Sequence, residues 1–247
     1  MLGGKLVDNA AHLRRLERSL GELGITSPVP LADIAGIQDE LIARNGMDEG
    51  VVYLQITRGA ADRDFNFPAT ATPTLVMFTQ TRAIIDSPKA QSGIRVITVP
   101  DIRWKRRDIK TVGLLGSALA KETARSQGAD DAWMVEDGFI TEGSSNNAYI
   151  VNEDGLIITR NLGSEILSGV TRLAVLALCE RDDLEVEERP FTVEEALRAK
   201  EAFSTSASTF VLSVVNIDGK PIGDGKPGPV ATRLRNVYIQ AALANTT

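Results

Sequence analysis

The chain has 247 residues, 43% of them hydrophobic and 24% charged, which is typical of a soluble globular protein with one sizeable core or two lobes. Its net charge of -6 argues against nucleic-acid binding, and no apolar run reaches the ~20 residues that span a bilayer. Cys179 is the single cysteine and His12 the single histidine, which excludes an internal disulfide and disfavours a Cys/His metal site or a Ser-His-Asp triad. We predict a cytoplasmic protein without a metal.

The first part of the chain predicts a small α+β lobe. Apolar residues recur at three and four positions in two segments that end near Gly24 and Gly46, the spacing of amphipathic helices. β-branched and aromatic residues predict two strands, and a polar loop after the first of them ends at Pro68. The predicted helices cover 9–23 and 31–45, and the predicted strands cover 51–57 and 74–79.

The remaining residues predict a larger lobe that mixes strands with helices. We expect a loop over 88–93 and a polar corner between two strands at Glu142. Thr192 and Glu195 have the spacing of a helix-capping box. The predicted strands cover 94–99, 132–136, 147–151, 156–159, 202–204 and 210–217, and the predicted helices cover 111–127, 169–181, 192–200 and a segment after Pro229. The whole chain is predicted to be an α+β protein with lobes 1–87 and 88–247.

Two polar segments point to chemistry. Lys110 stands where a strand or loop enters a predicted helix, and Glu142 lies in the run Thr-Glu-Gly-Ser-Ser-x-Asn. An amine that can form a Schiff base and an acid that can keep a pyridine nitrogen protonated are what a pyridoxal phosphate enzyme requires. Each segment alone is more often a solvated lysine or a plain turn. Four basic residues before Lys110 are interpreted as a solvated strand end: Arg103, Lys105, Arg106 and Arg107.

A third segment offers a phosphate site. Residues 167–172 open a predicted apolar helix, and a helix N-terminus carries a partial positive charge. Gly169 allows a close approach to the backbone, and Thr171 offers a hydroxyl. The same run is a plain Ser/Gly helix start in most proteins, so both interpretations stay open at this point.

The order of these motifs is more specific than any one of them. Asp-Ile-Arg-Trp-x-x-x-Asp-Ile-Lys, Thr-Glu-Gly-Ser-Ser-x-Asn and Ile-Leu-x-Gly-Val-Thr-Arg together resemble the fold type IV pyridoxal phosphate family, most closely its D-amino acid aminotransferases. The resemblance covers nearly the whole chain and implies a two-lobed fold with the cofactor between the lobes. It implies that Lys110 holds the cofactor as a Schiff base, that Glu142 meets the pyridine nitrogen and that Leu167 packs on the ring. Val170 and Thr171 would hold the phosphate.

The resemblance assigns more of the cofactor site residue by residue. Arg15 matches the arginine with which the family binds the phosphate from a helix. Ser206 matches a phosphate-binding position in a Ser/Thr-rich turn, where Ala207 replaces a usual threonine and keeps only the backbone N–H. Ser145 matches a serine that lines the pocket. With the residues above, these complete the cofactor site that the resemblance implies.

The substrate half of the site departs from the family. Arg63 matches the arginine that binds the substrate carboxylate, and its planar fork suits a carboxylate. Phe65 stands where these enzymes carry a histidine. The family's sequences also begin earlier than Met1, with first strands and a tyrosine that contributes to substrate binding. We therefore expect an altered substrate range, and an inert product if the chain is truncated.

The resemblance implies a cytoplasmic homodimer that binds pyridoxal 5'-phosphate, an amino acid and a 2-oxo acid. The predicted reaction moves an amino group from a D-amino acid such as D-alanine to a 2-oxo acid such as 2-oxoglutarate. A branched-chain L-amino acid aminotransferase and an aminodeoxychorismate lyase of the same fold are alternatives, because they keep the lysine and the glutamate. A truncated chain that binds the cofactor without turnover is the non-enzymatic alternative. No membrane or nucleic-acid partner is expected.

Overall fold

A computed structural model describes residues 1–244, which form two compact units. Among the described residues, one unit comprises Met1–Ala83 together with residues 242–244, and the other comprises Ile84–Ala241. The lobe boundary predicted between residues 87 and 88 stays a prediction. Within the described range, no helix is both long and apolar enough to cross a membrane.

The first unit consists of two helices and one hairpin. Its elements are α1 (Asn9–Leu23), α2 (Leu31–Arg44), β1 (Gly50–Thr57) and β2 (Thr74–Thr81). The strands pair antiparallel, with Gly50 opposite Thr81 and Thr57 opposite Thr74. Gly24 ends α1 with a φ of 57°, a left-handed conformation that glycine adopts without strain. All four elements agree with the sequence prediction to within two residues.

The second unit is built on a nine-stranded sheet. Its elements are α3 (Pro88–Ser92), β3 (Ile94–Pro100), α4 (Leu115–Ser126), β4 (Asp131–Glu136), β5 (Phe139–Gly143), β6 (Asn147–Val151), β7 (Ile157–Thr159), α5 (Val170–Arg181), β8 (Val186–Glu188), α6 (Val193–Arg198), β9 (Glu201–Ser206), β10 (Phe210–Ile217), β11 (Lys220–Pro221) and α7 (Pro229–Ala244). The strand order is β5-β4-β3-β10-β9-β6-β7-β8, and β11 pairs with β10. Strand β3 is parallel to β4 and β10, and β7 is parallel to β8; the other pairs are antiparallel.

The core of this unit holds the strands that carry the predicted site. Trp133 on β4 is fully buried, meets Phe191 edge to face at 6.3 Å and donates its indole N–H to Ser204 Oγ at 3.1 Å. Small residues let α4 approach the sheet closely, because Ala120 and Ala124 pack on β4. Strand β4 is therefore held on both faces, and β5 is anchored beside it.

Three sequence predictions differ from the structure. Residues 88–92 form the short helix α3 instead of a loop, with Pro88 in the first turn, where a missing N–H costs nothing. Helix α4 begins at Leu115 instead of residue 111, because the Thr111 hydroxyl accepts the Gly113 N–H and closes a local turn. Glu142 lies on strand β5 and not on a corner, and the polar turn follows it at 144–146.

The β4–β5 hairpin explains that difference. Glu136 pairs with Phe139, so the turn contains just Asp137 and Gly138, with φ values of 51° and 82°. Positive φ at both positions is typical of a type I′ turn, whose twist matches that of the strands it joins. The Asp-Gly pair was therefore a hairpin signal in the sequence. The short strands β8 and β11 were also not predicted.

Replacing Glu201 by alanine is expected to lower the free energy of unfolding by about 1–2 kcal/mol. The buried Glu201 carboxylate accepts the backbone N–H groups of Val230 at 2.9 Å and Ala231 at 3.0 Å, at the start of α7. Without it, these two donors lose their acceptor. Urea unfolding followed by circular dichroism measures the change. Glu153→Ala, at a side chain that is 75% exposed, is the control, and equal stability of both variants would contradict this role.

Candidate active site

Glu142 is a buried carboxylate held by three donors. Its Oε1 accepts from Arg103 Nη1 at 2.6 Å, and its Oε2 accepts from Asn147 Nδ2 at 2.9 Å and from the Leu167 N–H at 3.1 Å. Burial raises the pKa of Glu142, although Arg103 and the Leu167 N–H act in the opposite direction. Since a carboxylate offers about four lone-pair sites, Glu142 has capacity for a further donor.

Arg103 reaches Glu142 from the segment that follows β3. Asp101 binds the same guanidinium on a second side, with Nε–Oδ1 and Nη2–Oδ2 distances of 2.9 and 2.7 Å. Although burial lowers the pKa of Arg103, its bonds to Asp101 and Glu142 outweigh burial and raise it. Burial raises the pKa of Asp101, but Arg103 and the Thr141 hydroxyl bring it below its usual value. Both Arg103 and Asp101 therefore stay charged beside Glu142.

A second buried carboxylate fixes the turn after β5. Asp131 accepts hydrogen bonds from Ser144 Oγ and from Asn146 Nδ2, the latter at 2.7 Å. Ser145, between them, is exposed. The turn leads directly into Asn147, which donates to Glu142 and also to the Leu167 carbonyl at 2.9 Å. The strand that carries Glu142 and the segment that carries Leu167 are thus tied together.

The start of α5 lies beside this cluster. A Cβ atom on Gly169 would lie 2.1 Å from Asn147 Oδ1, so any larger residue would displace the Asn147 side chain. Val170 and Thr171 are buried in the first turn of the helix. Thr171 Oγ1 is buried and has no hydrogen-bond partner within residues 1–244. A buried hydroxyl without a partner at a helix N-terminus is chemically suited to an anion.

The Ser/Thr-rich turn joins β9 to β10. Ser206 Oγ lies 2.7 Å from Thr209 Oγ1 and 3.3 Å from Ser208 Oγ, and Ala207 is exposed at the tip. Arg235 on α7 donates to the Thr209 carbonyl at 2.6 Å and to the Val211 carbonyl at 2.9 Å. The far end of this turn is therefore fixed to a helix.

Lys110 is exposed in the loop between β3 and α4, five residues before the helix begins. An open pocket of about 460 Å³ is lined by residues that precede and follow Lys110 in the sequence. Its lining residues are Ile102, Arg103, Trp104, Thr111, Gly113, Leu115, Gly116 and Leu119. Because Arg103 both lines this pocket and binds Glu142, the pocket adjoins the Glu142 ion pair.

Three predicted site residues belong to the first unit. Arg15 on α1 is half-buried, with Nη2 3.4 Å from His12 Nδ1, and burial lowers its pKa. The Arg63 guanidinium lies 4.7 Å from the centre of the Phe65 ring, which is 88% exposed. Their roles toward a cofactor or substrate stay predictions.

Comparison with known proteins identifies the family. The model of the family described as amino-transferase class IV matches residues 2–217. The chain belongs to this family. D-alanine aminotransferase of Bacillus licheniformis is 37% identical to this aminotransferase over 237 residues, which is 95% of this chain and 82% of the relative. D-alanine aminotransferase of Staphylococcus haemolyticus is 37% identical over 244 residues, 96% of this chain and 85% of the relative.

Solved structures confirm the fold of the aminotransferase. The branched-chain amino acid aminotransferase of Escherichia coli superposes with a TM-score of 0.88 at 20% identity, covering 98% of this chain and 81% of that chain. The T.th. branched-chain amino acid aminotransferase, solved with pyridoxamine 5'-phosphate, gives 0.87 at 27% identity, covering 96% and 80%. The predicted two-lobed α+β fold type IV architecture is thereby confirmed, and membership of the amino-transferase class IV family supports the predicted pyridoxal phosphate cofactor.

The residues present in the second unit fit that cofactor. The N-terminus of α5 and the unpartnered hydroxyl of Thr171 suit a phosphate. Glu142 is an acceptor suited to a protonated ring nitrogen. Leu167, which donates its N–H to Glu142, is partly exposed beside that carboxylate. Together these residues would hold the phosphate and the ring.

Sequence reasoning missed part of the aminotransferase site. Arg103 and Arg107 were interpreted as solvated, but Arg107 is 4% exposed and Arg103 is paired with Glu142. Lys105 and Arg106 are solvated as expected, with side chains 79% and 45% exposed.

The sequence signal that could have revealed the Arg103 ion pair was Asp101, an acid two residues before Arg103 that could pair with it. Asn147 and Asp131 gave no comparable signal, because their roles depend on the turn between β5 and β6.

The aminotransferase is expected to lose one electrostatic contribution to stability at low pH. Hydrogen bonds from Arg107 and from Lys105 lower the pKa of Glu136 to about 2. A lowered pKa in the folded state means that this contribution is complete above the usual pKa of 4.5 and disappears as the pH falls to about 2. Urea unfolding of the unchanged protein and of Glu136→Gln from pH 2 to 7 measures it. The stability gap between them should close at low pH.

The exposed Glu153→Gln variant is the control for that titration, with little gap at any pH. A gap for Glu136→Gln that stayed constant from pH 7 down to pH 2 would contradict the ion pairing.

Proposed function

We propose that this chain transfers the amino group of a D-amino acid of the D-alanine type to a 2-oxo acid with the help of pyridoxal 5'-phosphate. The identity of 37% to a D-alanine aminotransferase over 95% of the chain carries the proposal. The buried carboxylate of Glu142, with its positive partner Arg103 at 2.6 Å, supplies the electrostatics that this cofactor needs.

Each candidate site residue of the second unit has a distinct part in the proposed mechanism. The bound cofactor supplies an aldehyde that takes up the amino group and a ring that accepts electrons from the substrate α-carbon. The Lys110 amine holds the cofactor and moves a proton to and from the substrate α-carbon. Glu142 keeps the ring nitrogen protonated. The first turn of α5, through Val170 and Thr171, binds the phosphate.

The remaining contacts of the proposal surround that centre. Leu167 packs on the ring of the cofactor. Ser206 and the Ala207 N–H bind the phosphate together with Arg15. Ser145 lines the pocket. Arg63 binds the substrate carboxylate, with Phe65 as its neighbour in place of a histidine. The proposal includes a homodimer in the cytoplasm, and sedimentation equilibrium at several protein concentrations tests the dimer.

One spectroscopic experiment tests the function. Purified protein is saturated with pyridoxal 5'-phosphate, and its visible absorption is recorded before and after addition of D-alanine and, separately, of L-alanine. We expect the band of the bound cofactor to disappear with D-alanine alone, because one half-reaction moves the amino group onto the cofactor. A change with L-alanine alone would overturn the D-amino acid assignment.

A branched-chain L-amino acid aminotransferase is the second candidate function. The likeness to the T.th. branched-chain enzyme, at a TM-score of 0.87 and 27% identity, favours it. A protein of Legionella pneumophila named putative 4-amino-4-deoxychorismate lyase shares the fold at 21% identity, and this likeness supports the fold alone. Parallel assays with D-alanine, L-leucine and aminodeoxychorismate distinguish the three. Retention of the cofactor without turnover of any donor would indicate an inert member of the family.

Replacing Arg63 by alanine is expected to weaken the apparent affinity for D-alanine by about tenfold or more, because a charge-assisted bidentate contact to the carboxylate is lost. The Arg63 guanidinium carbon lies 4.7 Å from the centre of the exposed Phe65 ring. Steady-state kinetics with D-alanine measure KM and kcat. Arg14→Ala, at an exposed position on α1, is the control. An unchanged KM in Arg63→Ala would contradict the assignment.

A further inference from the structure

An alternating chain of charges leads away from Glu142. The ion pairs are Glu142–Arg103 at 2.6 Å, Arg103–Asp101 at 2.7 Å, Asp101–Arg107 at 3.4 Å and Arg107–Glu136 at 2.7 Å. We call these five residues the charge chain. When all are ionised, three carboxylates face two guanidinium groups, which leaves one excess negative charge. The Lys105 ammonium, paired with Glu136 at the solvated end, offsets that charge.

Arg103 is the member that determines the state of Glu142, and its geometry is fixed from two sides. Asp101 engages Nε and Nη2, so that Nη1 is left to point at Glu142. The aliphatic stem is held as well, because a Cβ atom on Gly116 of α4 would lie 2.9 Å from Arg103 Cγ. The planar fork is therefore preorganised for one partner.

Glu142 needs this partner because it is buried. Taking a carboxylate out of water favours its neutral form, and burial indeed raises the pKa of Glu142. The other two donors to Glu142, from Asn147 and Leu167, are neutral amides. Arg103 adds a full positive charge at 2.6 Å, which favours the ionised carboxylate.

We propose that Arg103 is a positioning residue that keeps Glu142 ionised, so that the proton shared with the cofactor's ring nitrogen stays on that nitrogen, and that Asp101 holds Arg103 for this task. The inference rests on the proposed function, because it requires pyridoxal 5'-phosphate beside Glu142. Glu142 and the ring nitrogen share one proton. A charged Glu142 leaves that proton on the nitrogen, whereas a neutral Glu142 carries it and leaves the nitrogen without it.

The test follows that proton directly. Pyridoxal 5'-phosphate labelled with ¹⁵N in the ring is bound to the unchanged protein and to Arg103→Gln, and the nitrogen chemical shift is recorded by NMR. We expect a protonated nitrogen in the unchanged protein and a shift toward the unprotonated value in Arg103→Gln.

Cofactor affinity is a second measurement. The dissociation constant of the cofactor in Arg103→Gln, measured by equilibrium dialysis, should be about tenfold to a hundredfold higher than in the unchanged protein. Arg106→Gln, at a solvated arginine of the same loop, should match the unchanged protein in both.

Two further variants separate this role from a purely structural one. Arg103→Lys keeps the positive charge and should retain a protonated nitrogen even where its packing is poorer. Glu142→Gln should give the unprotonated signal, and adding Arg103→Gln to it should change the signal little, because Arg103 acts through Glu142. Melting of the cofactor-free variants, followed by circular dichroism, verifies that each is folded.

The outcomes are distinguishable. A protonated nitrogen in folded Arg103→Gln overturns the inference and leaves the proposed function standing. If Arg103→Gln does not fold, an unprotonated nitrogen in Arg103→Lys overturns it instead. Failure of the unchanged protein to bind the labelled cofactor overturns the proposed function, and the inference with it.

Discussion

Lys110→Ala is expected to abolish the visible band of the bound cofactor and to reduce transamination of D-alanine by about 10²–10⁴-fold. The amine at position 110 both attaches the cofactor and moves the proton at the substrate α-carbon, and alanine can do neither. The loop position of Lys110, five residues before α4, places no backbone hydrogen bond of the helix at risk. We therefore expect the variant to remain folded. Absorption spectra and single-turnover kinetics with D-alanine measure the two losses separately.

The matched control for this variant is Lys105→Ala, in the same loop and with its side chain 79% exposed. It should keep both the band and the rate, since its ion pair with Glu136 lies at the solvated end of the charge chain. Addition of a small amine such as methylamine should restore part of the rate of Lys110→Ala. A visible band and full turnover in Lys110→Ala would show that another amine attaches the cofactor.

Glu142→Gln is expected to slow the half-reaction with D-alanine by about 10²–10³-fold while the cofactor still binds. An amide cannot keep the ring nitrogen protonated, so the ring accepts electrons less well. The hydrogen bonds from Asn147 and the Leu167 N–H keep an acceptor in the glutamine oxygen. Arg103 loses its bond to Oε1 and keeps those to Asp101, so circular dichroism of the variant verifies its fold. Stopped-flow absorption at saturating D-alanine isolates this step from cofactor affinity.

Glu153→Gln, at an exposed glutamate of the same unit, is the control and should leave the rate unchanged. The pH dependence adds a second check. Because burial raises the pKa of Glu142, the unchanged enzyme should lose activity on acidification at a higher pH than an exposed glutamate would titrate. That loss should be absent from the residual activity of Glu142→Gln. Equal rates for Glu142→Gln and the unchanged enzyme would remove the carboxylate from the mechanism.

Local patterns predicted most of the fold. The capping box of Thr192 and Glu195 is formed, with bonds of 3.0 and 3.1 Å, and helix α1 has the predicted bounds. Three-residue strands such as β8 were missed because they are too short to show a period. The start of α4 was misplaced because the hydroxyl of Thr111 competes with the helix for a backbone N–H.

The site was predicted unevenly for a physical reason. Motif order singled out Lys110 and Glu142, whose roles stay predictions, although Glu142 lies on strand β5 and not on the expected corner. Gly169 was expected to allow a close approach, and Asn147 lies against it. The partners of Glu142 were not predicted, because Arg103 reaches it across 39 positions of sequence through strand pairing. A charged run near a strand end is usually solvated, and only the fold reveals that Arg103 turns inward. Long-range pairing of this kind leaves no local pattern.

The hairpin turn at Asp137 and Gly138 constrains how this protein can change over evolutionary time. Insertions are usually tolerated in exposed turns, and both residues of this turn are exposed. Yet one added residue that slipped β5 along β4 would bring Thr141 or Gly143 to the place of Glu142. The length of the β4–β5 connection should therefore be as invariant among working relatives as the glutamate itself, and insertions there should mark members that have lost the reaction.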